Sequence, residues 1–236
     1  AVCPRCGHDE TYNISTRRKF KCKGCHHQFS MTSGTIFASR NMDFVDLLAA
    51  ICITVNASKG VSMVQFSRDL DCQYKTAFGL AHKLREAMAQ EIQTGEVLDG
   101  HVEIDGAYFG GHIRPENRKE DRKDRRLKTG KRRVVVVMRE RYGRTLPTVT
   151  KTEAEGVELA ARNVSRMATL SADEASHWDL LHAGWNVERV NHSEVYSDHG
   201  KHTNMAESYF SRLRRMVVGQ HHHVSPQYLH QYDNHA

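Results

Sequence analysis

No apolar run in this sequence is long enough to cross a membrane. The longest, Phe44 to Val55, is interrupted by Asp46 and falls short of the roughly 18 residues that a span requires. An export signal is missing too: Ala1-Val2-Cys3-Pro4-Arg5 opens no apolar core of signal-peptide length, so a cytoplasmic location is expected and structural disulfides are not. An excess of acid is also lacking. Lys and Arg outnumber Asp and Glu by 34 to 28, a formal charge of +6, which turns attention from cationic partners to anionic ones. With 39% apolar and 26% charged residues, the 236-residue chain is polar but able to fold, as one large domain or two to three small ones.

The basic charge is concentrated. From Arg114 to Arg133 there are eleven Lys or Arg and four Asp or Glu, a net of +7, which leaves the rest of the chain at −1. Such a block, with Arg125, Arg126, Lys131 and Arg132 in its second half, suits a polyanion whose phosphates release counterions on contact. As a charge run alone it equally suits a solvated surface loop.

Cysteine supplies the sharpest pattern. Cys3-x-x-Cys6, fifteen intervening residues and Cys22-x-x-Cys25 have the spacing of a four-cysteine zinc ribbon. Two residues between thiolates let one turn aim both at a single ion, and a second such turn closes a tetrahedral, structural shell. A unit this short has little core, so the metal must supply much of its folding energy. Cys52 and Cys72 read as packing residues.

Periodicity then changes. Phe44, Leu47, Leu48, Ile51 and Val55 share a helical face, and two further helices, about Ser62 to Leu70 and Tyr74 to Gln93, flank a short break at Asp71-Cys72-Gln73. This reads as a helix-turn-helix whose last helix presents Gln73, Lys75, Thr76, His82, Lys83 and Arg85 to DNA, or as a plain three-helix bundle.

After Gly95 the pattern becomes strand-like. In His101-Val102-Glu103-Ile104-Asp105 the acids fall on one face and the apolar residues on the other. Arg133 to Met138 reads as a buried strand and Leu146 to Lys151 as its neighbour. Helices near Glu155 to Met167, Ser176 to Ala183 and Asn204 to Val217 alternate with strands at Ala168 to Asp173 and Val187 to Val190, an α/β arrangement on a mixed sheet. Asp105, Asp173 and Glu207 thus sit on separate elements. Three such acids converging at one sheet edge would suit two divalent cations acting on a phosphodiester; as isolated residues they are ordinary surface charges.

Together with Phe29-Ser30-Met31-Thr32-Ser33-Gly34-Thr35-Ile36-Phe37, Lys75-Thr76-Ala77-Phe78, Tyr108-Phe109-Gly110-Gly111, Val190-Asn191-His192-Ser193 and His202-Thr203-Asn204-Met205-Ala206-Glu207-Ser208, these segments resemble the bacterial insertion-sequence transposases of the ISXO-like type. The resemblance implies a zinc ribbon at 1–38, a helical DNA-binding domain at 39–95 and a ribonuclease-H-like D-D-E domain at 96–236. It implies Asp105, Asp173 and Glu207 as ligands of two Mg²⁺ or Mn²⁺, with Asn204 as auxiliary on the same helix face and His202 supporting a ligand or contacting phosphate. Lys75, Lys83, Arg85, Arg125, Arg126, Lys131, Arg132 and Arg214 become the expected DNA contacts. Double-stranded DNA is the expected partner, bound by a homodimer or larger assembly at the nucleoid. His221-His222-His223 is expected to be structural or phosphate-facing. One departure is visible: the family commonly has an acid directly after its first Asp, and here Gly106 follows Asp105. A zinc-ribbon regulator, or a transposase remnant without activity, is the alternative reading.

Overall fold

Metal-ligand spacing, helical periodicity and strand alternation govern successive stretches of the chain. The computed structural model keeps that order and describes residues 1–40, 42–93, 95, 97–110, 120, 132–190 and 202–233. Strands β1 (Thr11–Ile14), β2 (Lys19–Cys22) and β3 (Gln28–Phe29) form an antiparallel sheet in the order β1-β2-β3. Its small core is Cys3, Cys22 and Phe29, backed by Phe20 and Cys25.

Helix α1 (Phe44–Asn56) buries Leu47, Ala50 and Thr54, three residues of one face. Helix α2 (Met63–Asp69) starts at Ser62, whose hydroxyl accepts the Gln65 N–H at 3.1 Å, an N-cap that satisfies one of the helix's unpaired donors. Four residues later α3 (Tyr74–Gln93) begins, the turn passing through Asp71 at φ +45°. Phe66 is fully enclosed where the three helices meet, among Leu47, Ala50, Ala77 and Leu80.

The second half folds around a five-stranded mixed sheet. Strands β4 (His101–Gly110), β5 (Arg132–Glu140) and β6 (Thr145–Thr150) are antiparallel neighbours, while β7 (Thr169–Asp173) and β8 (Asn186–Val190) run parallel to β4. The order is β6-β5-β4-β7-β8, the ribonuclease-H-like arrangement. Alternation assigns its two faces. Val102, Ile104, Val134, Val136 and Met138 pack under α4 (Glu155–Asn163) and a 3₁₀ segment, Ser176–Ala183, that brings in Trp178 and Leu181. Ala107, Phe109, Val135 and Val137 pack against α5 (Asn204–Arg214) through Ala206, Tyr209, Phe210 and Leu213. Gly156 lets α4 close on the sheet, since a Cβ there would meet the Trp178 ring at 2.7 Å.

Three expected boundaries differ. Helix α4 ends at Asn163 because Val164 leaves it to bridge Leu98, and Leu98 donates its N–H to Asn163 O and accepts that of Ser165, both at 2.8 Å. The 176–183 segment is 3₁₀, not α. Helix α5 gives way after Arg214 to a π-helical stretch, Arg215–Gln220. A 3₁₀ turn at Pro226–Tyr228 then leads into the short α6 (Leu229–Asp233). Among the described residues no helix is long and apolar enough to cross a membrane.

Candidate active site

Strand register brings the first two acids together. The β4–β7 pairing runs from His101 with Thr169 to Ile104 with Ala172, so the next residues along the two parallel strands are Asp105 and Asp173. Both follow the alternation of Glu103 and Ser171, which are fully buried on the α5 side of the sheet.

The third acid is brought in by a helix that the sheet itself caps. Glu103 Oε2 accepts the backbone N–H groups of Met205 at 2.8 Å and Ala206 at 3.1 Å, two otherwise unpaired donors of the first turn of α5. Its Oε1 lies 3.0 Å from His202 Nδ1 and 3.7 Å from Arg141 Nε. A carboxylate at a helix N-terminus is stabilised by hydrogen bonds and by the helix dipole together. Glu207 and Asn204, both exposed, extend from that anchored turn. His202 therefore supports the helix anchor through Glu103.

The electrostatics report the same convergence. Burial pushes the Asp105 carboxyl up, the Gly106 N–H on its Oδ1 at 2.7 Å offsets part of this, and the charges of Asp173, Glu207 and Glu153 raise it further, to about 7. The acids feel one another but are not drawn to one point: among the described residues, only the four cysteines bring three or more such ligand atoms within 4.8 Å of one another.

Glu153 is a fourth acid here, in the loop between β6 and α4, and it was not legible in the sequence. Its carboxyl is raised by burial and by Asp173, against the lowering effect of His177, whose Nε2 lies 3.1 Å from Glu153 Oε2. Lys151-Thr152-Glu153 reads only as a polar turn.

The cysteines form a separate centre. Cys3 and Cys25 place their sulfurs 3.6 Å apart, as do Cys6 and Cys22, and Cys25 N–H points at Cys22 Sγ at 3.4 Å. Sulfurs at about 2.3 Å from a tetrahedral Zn²⁺ lie about 3.8 Å from each other, so the set fits one structural zinc. Burial pushes the Cys3 thiol up, but the backbone at Arg5 and Cys6 and the Cys25 thiol outweigh it and hold Cys3 at about 7. The backbone at His8 favours the Cys6 thiolate, yet its neighbours Cys25 and Cys22 and its burial drive it to about 12. Four thiols this close ionise together only around a cation.

The expected DNA contacts divide. Lys75 and Lys83 are exposed on α3, and so are Arg132 on β5 and Arg214 at the end of α5. Arg125, Arg126 and Lys131 lie outside the described residues. Arg85 requires a correction: it is only 1% exposed, its guanidinium 4.3 Å from the Tyr232 ring centroid. It faces inward because Ala77, Leu80, Ala81 and Leu84 set the buried side of α3 and Arg85 follows on that side, where α6 covers it. Arg85 therefore holds α3 to α6 and is not available at the surface. His221 lies 4.8 Å from the same Tyr232 ring, a structural contact, while His222 and His223 line a hollow of about 480 Å³ with Tyr108 and Arg214.

Comparison with known proteins bears on both centres. Residues 97–236 match the model of the ISXO2-like transposase domain, and residues 1–28 match that of the transposase zinc-ribbon domain. No curated protein matches. Among solved structures, the chain is similar to one in the cryo-EM structure of the simian T-cell lymphotropic virus intasome in complex with PP2A regulatory subunit B56 gamma. Identity is 10% and the TM-score 0.34, over 78% of this chain, which spans 64% of the length of that one.

Proposed function

We propose, from the premise that this chain belongs to the family of ISXO2-like transposases, that it hydrolyses a phosphodiester at insertion-sequence ends and transfers the freed 3′ end into target DNA. The observation that carries this reading is the register of β4 and β7, which makes Asp105 and Asp173 neighbours beneath the anchored first turn of α5. Asp105, Asp173 and Glu207 would hold two Mg²⁺ or Mn²⁺, with Asn204 beside Glu207. Such ions supply an activated water and stabilise charge on the attacking and leaving oxygens. The chain's own residues fix the geometry: the sheet sets the spacing of two carboxylates, and Glu103 sets the reach of the third.

Residues 1–38 and 39–95 serve as DNA-holding domains in this reading, with Lys75 and Lys83 on the exposed side of α3. Arg132 and Arg214, together with Arg125, Arg126 and Lys131, contact phosphates and position the duplex without reading its sequence. Two DNA ends call for at least a dimer, working at the nucleoid in the cytoplasm. The test is a supercoiled plasmid carrying the element's own ends, incubated with the protein in Mg²⁺, Mn²⁺ or EDTA, beside Asp105→Asn. Cut and joined products are expected only from the wild-type protein with metal. Intact DNA from a protein that still binds those ends would make it a DNA-binding protein without the chemistry.

A further inference from the structure

Glu153 occupies the space that a side chain at position 106 would need. A Cβ built on Gly106 would lie 2.7 Å from Glu153 Cγ, closer than real Cβ contacts come, and 3.2 Å from its Oε1. The missing side chain thus leaves room for Glu153 on the α4 side of β4, one residue from Asp105, whose own side chain lies on the α5 side. There its charge acts on both Asp105 and Asp173. His177 Nε2 lies 3.1 Å from its Oε2, and Glu153 is largely enclosed, its side chain 17% exposed.

Two facts separate this arrangement from an incidental surface acid. The loop carrying Glu153 is tied down, because Glu153 O accepts the Gly156 N–H at 2.8 Å and Gly156 is itself pressed against Trp178. The same segment, Ser176–Ala183, carries both Trp178 and His177, so the packing that closes α4 on the sheet also delivers the partner of Glu153. A carboxylate held this way stays beside Asp105 at a cost in repulsion. That cost is offset when a divalent cation arrives, since each added negative charge in a water-poor site strengthens cation binding.

We propose that Glu153 is a positioning residue of the divalent-cation centre, seated in the notch left by Gly106, and that it raises the affinity of Asp105 and Asp173 for metal. The inference rests on the proposed function above. It also gives Gly106 a role: the chain carries an acid at this place in space, delivered from position 153 instead of position 106.

The test is Mn²⁺ binding to the zinc-loaded full chain, followed by electron paramagnetic resonance and by the thermal shift that Mn²⁺ produces, with no DNA present. Glu153→Gln is expected to weaken Mn²⁺ binding roughly tenfold. Gly106→Ala, which changes no charge but displaces Glu153, should weaken it similarly and add nothing in a Glu153→Ala background. Moving the acid, Gly106→Glu with Glu153→Ala, should recover most of the affinity, a rescue that a merely structural Glu153 would not give. Unchanged Mn²⁺ binding in Glu153→Gln, with binding still lost in Asp105→Asn, would overturn the inference and leave the proposed function standing. Wild-type protein whose Mn²⁺ binding is indifferent to Asp105→Asn would overturn both.

Discussion

At Asp105 the fold holds a carboxyl where water is scarce and three other acids are near, which places its titration at about 7 instead of the ordinary 3.8. In the unfolded chain the proton leaves near the ordinary value, so between the two the folded state alone retains it. The stability that Asp105 contributes is complete below about pH 4 and is lost as pH rises through 7. Above that, its ionised form destabilises the metal-free fold by at most about 4 kcal/mol. Asp105→Asn, of similar shape and without charge, is therefore expected to melt several degrees higher than wild type at pH 8 in EDTA, and at most about 15 °C higher. The two should converge at pH 4, and Mg²⁺ should narrow the gap at pH 8 by stabilising only the wild type. Melting curves that coincide at pH 8 would mean that Asp105 is not under electrostatic strain. Strand alternation put Asp105 on one face together with Glu103, and it was the family resemblance that singled out Asp105 as a metal ligand. The acids that press on it were only partly visible, since Glu153 lies in the side-chain space at Gly106, and no spacing rule couples positions 47 apart.

Elements are placed by contacts of the same long-range kind. Helix α5 carries Glu207 at the right height because Glu103, 102 positions before Met205, receives its first-turn N–H groups. Glu103→Ala would leave those donors, His202 and Arg141 facing a buried void. A loss of about 3 to 5 kcal/mol is expected, as for breaking a buried charge network. Glu103→Gln, which retains one acceptor, should lose less. Hydrogen exchange at Met205 and Ala206 checks this: both amides should lose protection in Glu103→Ala before the strands of the sheet do, and unchanged protection would show that α5 is capped by other means. Much at this scale was legible, because helix and strand periods are local: the sequence supports every strand of the large sheet and all three helices of the middle segment. The errors fell where a distant partner decided the outcome. Val164 left α4 to pair with Leu98, and Arg85 was turned inward by α6, a helix too short to announce which surface it would cover.

Across the whole molecule, stability is divided among separate cores of different origin. The ribbon has three buried side chains in its cluster, Cys3, Cys22 and Phe29, too few to offset the entropy of ordering its strands without metal. The large sheet carries an apolar layer on each face. Both tryptophans of the chain, Trp178 and Trp185, belong to one of those layers, so their fluorescence reports the sheet and is silent about the ribbon. Removal of zinc by a strong chelator is therefore expected to melt residues 1–30 alone: proteolysis should open there first, while Trp emission and the main thermal transition stay close to their original values. Cys22→Ser should reproduce this without chelator. If Trp emission instead shifted red together with zinc loss, the ribbon and the sheet would be one cooperative unit, and the metal would hold together the large sheet as well as its own.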